Sequence, residues 1–473
     1  MDDIRTSHQP SDATIVILLA GPLLYFVGRA IYSLRFHPLH SYPGPLLWRI
    51  STLPRDYHTY NGTLPQKIGD LHRQYGEVVR VAPTELSYAS SQAWIDVFAH
   101  QPGKSEFPKD STRQNRPPNG IPNIIGANKE NHARYRRLLA HAFSEKGLRD
   151  QAPLIKQHVD LLIDRLGELA KASATADMVS WYNMTAFDVI GDLSWGEAFN
   201  SLRDRRMHEW IPVVLESVRF FVMANVLRNY GLDVFTRYLI PTNVQQARVA
   251  NYRYAQDQVG KRAASGAARG DFWDRILIKS VDDNASGEGM SEGEMLNNAT
   301  VLVLAGSETS ATALSGATYL MLKHPGVVKK AVNEVRTAFQ SDSDITLFSV
   351  GKLKYQFAVL EEAMRLYPAV VSPGARLPPE GGATVCGKFV PEGVGHIVRA
   401  SQRRIKTNTA QTTINISMLG ANHAATNFHR PDDFVPERWL DDAPAEFAKD
   451  NKAVFQPFGM GTRNCEVSHT PRC

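Results

Sequence analysis

The sequence predicts a mainly α-helical fold with a minor β-sheet. Three observations carry that expectation. Apolar residues recur at helical spacing along most of the chain, from Asn131 to Leu366 above all. Apolar–polar alternation of the strand kind stands out in one short run, Tyr75 to Tyr88. A capping signature at Ser291 opens one very long helical pattern. The 473 residues, 43% hydrophobic, allow a large core, either as one big domain or as two to three ordinary ones. No internal repeat or low-complexity tract interrupts them.

The first twelve residues carry Asp2, Asp3 and Asp12. Residues 13–34 then form an apolar stretch long enough to span a bilayer as one transmembrane helix. Arg29 lies near its far end, where it can snorkel, and Gly21-Pro22 is tolerable in such a helix. Arg35 and Arg49 follow, so the positive-inside bias puts residues 1–12 in the lumen and the bulk of the chain in the cytosol. The lack of an A-x-A-like site favours an anchor over a cleaved signal peptide. The sequons at Asn61, Asn183 and Asn298 are then expected to stay unmodified. Residues 35–50, with His37-Pro38 and Tyr42-Pro43-Gly44-Pro45, read as a stiff hinge, and residues 51–473 as the globular domain.

Within that domain, Tyr75–Tyr88 reads as a hairpin around Val79 and Val81. Asn131–Glu168 is helical with basic positions on one face, and Asp177–Asp192 is a second, buried helix. Trp210–Leu227 is apolar nearly all round, which suits a buried helix or one touching a ligand or membrane. The longest helix begins at Ser291, runs through Leu302, Leu304, Leu314 and Leu320 to Lys323, and stops at His324-Pro325. About thirty residues at roughly 1.5 Å each reach about 45 Å, enough to cross a whole globule. Val327–Phe339 and Leu353–Leu366 give two more helices.

A net charge of +5, without a basic run interleaved with aromatics, excludes nucleic acid as the expected partner. Cys386, Cys465 and Cys473 make no disulfide framework and fit a reducing compartment. Cys465 is distinctive. It closes Gln456-Pro457-Phe458-Gly459-Met460-Gly461-Thr462-Arg463-Asn464-Cys465, a glycine-rich turn that lets backbone approach a flat ligand closely. A thiolate there can ligate iron; the plain alternative is a cysteine in a glycine-rich loop. In mid-helix, Ala305-Gly306-Ser307-Glu308-Thr309-Ser310 collects poor helix formers beside an acid. Small residues there fit either a flat cofactor or a close helix crossing, with Glu308 feeding protons inward or merely solvated. Glu362 and Arg365 share a helix face, and Arg438 in Pro436-Glu437-Arg438-Trp439 offers a second guanidinium. Apolar neighbours argue for a buried network over a surface ion pair.

Together, AGSETS, EAMR, PERW and FGMGTRNC, in that order, resemble the cytochromes P450, and the similarity extends over nearly the whole chain. NHARYRRLLAHAFSEKGLRDQ is similar to fungal microsomal members of secondary metabolism, near the isotrichodermin-hydroxylase group. The resemblance implies the cytochrome P450 fold and haem b (iron protoporphyrin IX) with Cys465 as axial ligand, cradled by Phe458, Gly459 and Gly461 and lying against Ala305 and Gly306. It implies Glu308 and Thr309 as the acid–alcohol pair delivering protons to bound dioxygen. It implies Glu362, Arg365 and Arg438 as a structural triad, and Arg463, Arg376 and Arg136 as partners of the haem propionates. His132, four residues before Arg136, either donates to a propionate or is a plain helix-surface histidine. Substrate contacts are expected from Pro117 to Ile125, Arg219 to Met223, Leu302 to Gly306 and Val370 to Gly374, mostly apolar segments that suit a lipophilic small molecule.

The expected protein is an endoplasmic-reticulum, single-pass haem-thiolate monooxygenase. It would hydroxylate or epoxidise a lipophilic intermediate of fungal secondary metabolism, with dioxygen, membrane lipid and an NADPH-dependent reductase as partners. A basic face around Arg134, Arg136 and Arg137 either docks that reductase or is simply solvated. The alternatives are an isomerase or dehydratase of the same fold and a haem-poor remnant or mis-spliced product. Two departures motivate the last. The family continues past the cysteine with a helix and hairpin, whereas Glu466 to Cys473 follow here, with Val467 where a glycine is usual; a truncated fold is therefore expected. Residues 395–415 look foreign to the family's spacing and read as a retained-intron insertion.

Overall fold

The capping box at Ser291 opens the longest helix as its spacing requires. In the computed structural model, which describes residues 12–110, 117–230, 232, 242–266, 269–274, 276–277, 289–392 and 411–466, Ser291 Oγ accepts from Glu294 N at 3.3 Å and Glu294 Oε2 from Ser291 N at 2.9 Å. The helix Glu292–Lys323 spans 32 residues and ends before Pro325, whose ring cannot continue it. The helix Met178–Trp195, capped by Asp177, packs along it. Gly306 makes that crossing tight: a Cβ there would meet Ile190 Cδ1 at 2.9 Å. Of the two readings of the small-residue run, Gly306 thus takes the helix-crossing one.

The remaining expected helices form with shifted ends. Pro325–Ala338 and Lys354–Leu366 match their patterns, and Trp210–Asn229 covers the all-apolar run. Asn131–Glu168 is a correction: it is two helices, Lys129–Leu139 and Glu145–Lys171. Ser144 caps the second through Gly147 N at 3.1 Å, and Gly147 lies so close to the Ala142 carbonyl, 2.8 Å from its would-be Cβ, that no side chain fits. The helix Thr242–Ser265 had no clear signal in the sequence.

The hairpin is real: β1 (Val78–Ala82) pairs antiparallel with β2 (Glu85–Tyr88). A third strand joins them. A separate hairpin, β3 (Ala383–Val385) with β4 (Lys388–Val390), precedes β5 (Thr413–Ile416), which runs parallel to β2 with Leu86 opposite Ile414. Thr413 to Asn415 belong to the stretch expected to be foreign, yet Ile414 is fully buried there. The rest of that stretch, up to Ala410, lies outside the described residues. The described residues that flank residues 393–410 meet, since Thr412 N donates to Glu392 O at 3.3 Å.

The apolar N-terminal stretch is helical over Asp12–Ile31, with Leu23, Leu24, Tyr25 and Phe26 exposed. Among the described residues, no helix is long and apolar enough to cross a membrane. Gly21-Pro22, Gly28 and Arg29 dilute this one, and a π-turn, Tyr32–Phe36, ends it. The segment expected as a hinge is packed: Leu39 and Tyr42 are buried, and Arg80 N donates to Pro43 O at 2.7 Å. The sequon residue Asn298 is fully buried, which blocks modification at that one site in the folded chain.

Candidate active site

The Cys465 loop turns on two glycines with positive φ, Gly459 at 74° and Gly461 at 81°. A Cβ on Gly461 would run into the Phe98 carbonyl oxygen. The turn closes when Cys465 N donates to Phe458 O at 2.8 Å, leaving Cys465 and Phe458 exposed on one strip of loop. Arg136 holds the loop from behind: its Nη1 donates to Asn464 O and its Nη2 to Asn464 Oδ1, both at 2.7 Å, with Glu466 Oε1 3.6 Å from Nε.

Four cationic side chains and His132 converge beside this loop. Arg463 Nε pairs with Glu106 Oε1 at 3.0 Å, and its Nη1 donates to Ala127 O at 3.0 Å. Arg376 is buried on a backbone bridge, exchanging hydrogen bonds with Ile414 at 2.8 Å in both directions, so β5 positions it. Its Nε is buried without a hydrogen-bond partner among the described residues. Lys109 lies on the other side of that bridge and donates from Nζ to Ile125 O at 2.7 Å. Burial, then Arg376 and Arg463, bring the Lys109 ammonium down to about 7. His132 is buried, and burial and then Arg463 hold it down to about 4; the helix-surface reading of His132 is therefore wrong. Lys109 and Glu106 were missed in the sequence, where neither carries a spacing signal.

Burial also holds His37 and His72 down to about 4. Between about pH 6.5 and pH 4 the unfolded chain takes up these protons and the folded one does not, so stability rises with pH across that window and falls on acidification. Chemical denaturation at stepped pH is expected to show the midpoint dropping below pH 6.5, with a shallower slope in His72→Gln. A flat profile over the window would contradict the assignment.

On the long helix, Ala305 is exposed and Thr309 half-buried one turn on, with Thr309 Oγ1 donating to Ala305 O at 2.8 Å. Glu308 has no hydrogen bond or ion pair among the described residues, and burial pushes its carboxyl up. Val370 and Val371 are partly exposed, and Ser372 Oγ donates to Asn415 Oδ1 at 2.5 Å, so this segment too leans on β5.

Glu362, Arg365 and Arg438 are fully buried and meet. Arg365 grips Glu362 in a fork, Nε to Oε2 at 2.8 Å and Nη2 to Oε1 at 2.9 Å, while Arg438 Nε reaches Oε1 at 3.0 Å. A fourth member was missed: Asp450 Oδ2, 2.5 Å from Arg438 Nη1, balances the second guanidinium. Of the expected docking face, Arg134 is turned inward onto Glu294 Oε1 at 2.5 Å and Arg136 onto the cysteine loop.

A thiol on a glycine turn, a partly buried cationic cluster beside it and an acid–alcohol pair in a long helix define a haem-thiolate enzyme. The family model for cytochrome P450 matches residues 39–400 and 407–466, and the chain belongs to that family. It is a cytochrome P450 monooxygenase, an oxidoreductase that binds haem. The chain is similar to a versicolorin B desaturase of Aspergillus parasiticus, 44% identical over 451 residues, 95% of this chain and 86% of the relative. It is similar to a cytochrome P450 monooxygenase of Penicillium aethiopicum, 42% identical over 448 residues, 94% of this chain and 80% of the relative. An averantin hydroxylase of Dothistroma septosporum is 42% identical over 455 residues, 96% and 81%.

The residues present fit the porphyrin. A cluster of buried Arg376 with partly buried Arg463 and Lys109 shares Glu106 as its carboxylate, and the Arg376 Nε donor has no partner among the described residues. That cluster is suited to two further carboxylates, the number a haem carries.

Proposed function

We propose that this chain oxidises a lipophilic intermediate of fungal secondary metabolism, taking electrons from an NADPH-dependent reductase. The observation that carries the proposal is the Cys465 turn set beside the Arg376–Arg463–Lys109 cluster, whose Arg376 is buried. Cys465 would supply the thiolate that ligates the iron. Arg376, Arg463, Lys109 and His132 would hold the propionates, and Arg463 would leave Glu106 to do so. Arg136 acts differently from the sequence expectation, bracing the cysteine loop through Asn464.

Bound haem supplies dioxygen activation and the oxidation itself. The chain's residues supply position and protons. Glu308, its carboxyl raised by burial, is neutral over more of the acidic range than a solvated glutamate and carries a proton from the surface inward. Thr309 passes it on from the same helix; its hydroxyl must leave the Ala305 carbonyl to do so. Ala305, small and exposed, leaves the porphyrin face room. The N-terminal helix, with its exposed apolar residues, associates the chain with the endoplasmic-reticulum membrane.

A second outcome has a specific observation behind it: relatives 43–44% identical are named desaturases. The experiment is reconstitution with a reductase, NADPH and labelled dioxygen, with versicolorin B and averantin as probes. Hydroxylation retains one labelled oxygen atom in the product and sends the other to water. Desaturation removes two hydrogens and sends both oxygen atoms to water. NADPH consumption with neither product, for these and a panel of lipophilic metabolites, would contradict the proposal.

A further inference from the structure

The loop after Pro117 is fastened to the long helix by two adjacent asparagines that no part of the catalytic chemistry uses. Asn297 is buried and donates from Nδ2 to Asn119 Oδ1 and to Ile121 O, both at 2.7 Å. Asn298 is fully buried, and its Oδ1 accepts from Ile124 N at 2.8 Å. One turn earlier, Gly293 lets the loop close in: a Cβ there would meet Ile121 Cδ1 at 2.6 Å. The far end of the loop is tied to the cationic cluster, since Lys109 holds the Ile125 carbonyl and Arg463 the Ala127 carbonyl. Between the two fastenings the Ile125 side chain is 49% exposed.

Helical geometry relates this fastening to the oxygen side. Residues seven apart lie on nearly the same face of an α-helix, about 10 Å along its axis. Asn298, Leu302, Ala305 and Thr309 therefore share one stripe. The loop is docked on the upper part of the stripe whose lower part carries the Thr309 hydroxyl. Buried amides bonded to loop backbone fix position and contribute little chemistry of their own.

We infer that Asn297 and Asn298 are positioning residues that hold the 119–125 loop over the substrate side, so that this latch decides which lipophilic molecules reach the iron. The inference rests on the haem-thiolate reading of Cys465. Asn297 acts only as a donor here, so Asn297→Ala removes both of its bonds to the loop, while Asn119→Ala, from the exposed side where folding is not at stake, removes one of these together with the Asn119 Nδ2 bond to Gly293 O and the loop's own Ile121 N bond to Asn119 Oδ1.

The test uses the full-length haem-loaded chain and two iron-binding probes, imidazole and the bulkier 1-phenylimidazole, followed by stopped-flow absorbance. Each lost hydrogen bond is worth about 1 kcal/mol, or about fivefold in the latch equilibrium. Both variants are expected to bind 1-phenylimidazole about fivefold faster or more, with imidazole changed less than twofold and the CO-difference band unmoved. Unchanged discrimination between the probes in both variants would overturn the latch. So would loss of haem in both, which would make the asparagines part of the cofactor's hold. Failure of the unsubstituted protein to show a thiolate-type CO band would instead overturn the reading of Cys465.

Discussion

Cys465→Ala is expected to abolish the thiolate-type CO-difference band and to strip the purified protein of most of its pigment, while leaving the fold intact. The side chain is exposed on a loop whose shape is set by backbone: the Cys465 N to Phe458 O bond, the positive-φ glycines and the Arg136 fork on Asn464. None of these needs the sulfur. Truncation at such a site costs within about 0.5 kcal/mol, so denaturation of the two cofactor-free proteins should coincide. No other described thiol can substitute. Burial pushes Cys386 up to about 11, leaving it protonated at neutral pH, and its backbone is fixed to Asp96. Gly461→Ala serves as the contrasting variant. It keeps the thiol but drives a methyl group into the Phe98 carbonyl, so it should weaken haem retention by displacing the loop. Measuring the CO band and the haem-to-protein ratio separates the cases. A persistent band in Cys465→Ala would remove the axial assignment and everything built on it.

What the sequence reveals of this site follows from where the interactions lie along the chain. The Ser291 cap, the Glu362–Arg365 fork and the cysteine turn each occupy a few consecutive residues, so local spacing exposes them. Asp450 reaches Arg438 across twelve positions and Lys109 reaches Arg376 across 267, and neither distance has a period. The split between Leu139 and Glu145 was hidden because helical hydrophobic spacing continues through it; the close carbonyls around Gly147 appear only in three dimensions. Strand β5 was hidden for a similar reason. Thr413–Ile416 is short, and what makes it a strand is Leu86 and Tyr88 opposite it and Arg376 bridged to it. Local strand propensity is a weak guide when pairing partners decide. One consequence is functional, since the strand that looked foreign holds a buried cation of the site.

Glu362→Ala should have the largest effect on stability of any single change away from the cysteine. The carboxylate is fully buried and accepts from Arg365 Nε and Nη2, Arg438 Nε, Trp439 Nε1 and Val435 N. Its removal leaves two buried guanidiniums facing Asp450 alone, and deprives five donors of their acceptor. The remaining Arg365 contacts are to the carbonyls of Asn422, Pro431 and Asp433, which cannot neutralise a charge. Breaking a buried pair from one side costs about 3–5 kcal/mol, against a total stability of about 5–15 kcal/mol for a typical domain. Much of the Glu362→Ala protein should therefore be insoluble, with the soluble fraction unfolding at far lower denaturant. Glu362→Gln should recover only part of the loss, since it keeps the volume but turns one acceptor into a donor facing donors. Glu437→Gln is the control. That carboxylate sits next to Arg438 in the chain but is partly exposed, paired with Lys330 at 2.7 Å and Tyr355 at 2.9 Å, so its loss should cost no more than about 1 kcal/mol. Equal denaturation midpoints for Glu362→Ala and Glu437→Gln would mean that Glu362 adds nothing beyond a surface pair, with Arg365 held by its carbonyl contacts and Arg438 by Asp450 and its own carbonyl contacts.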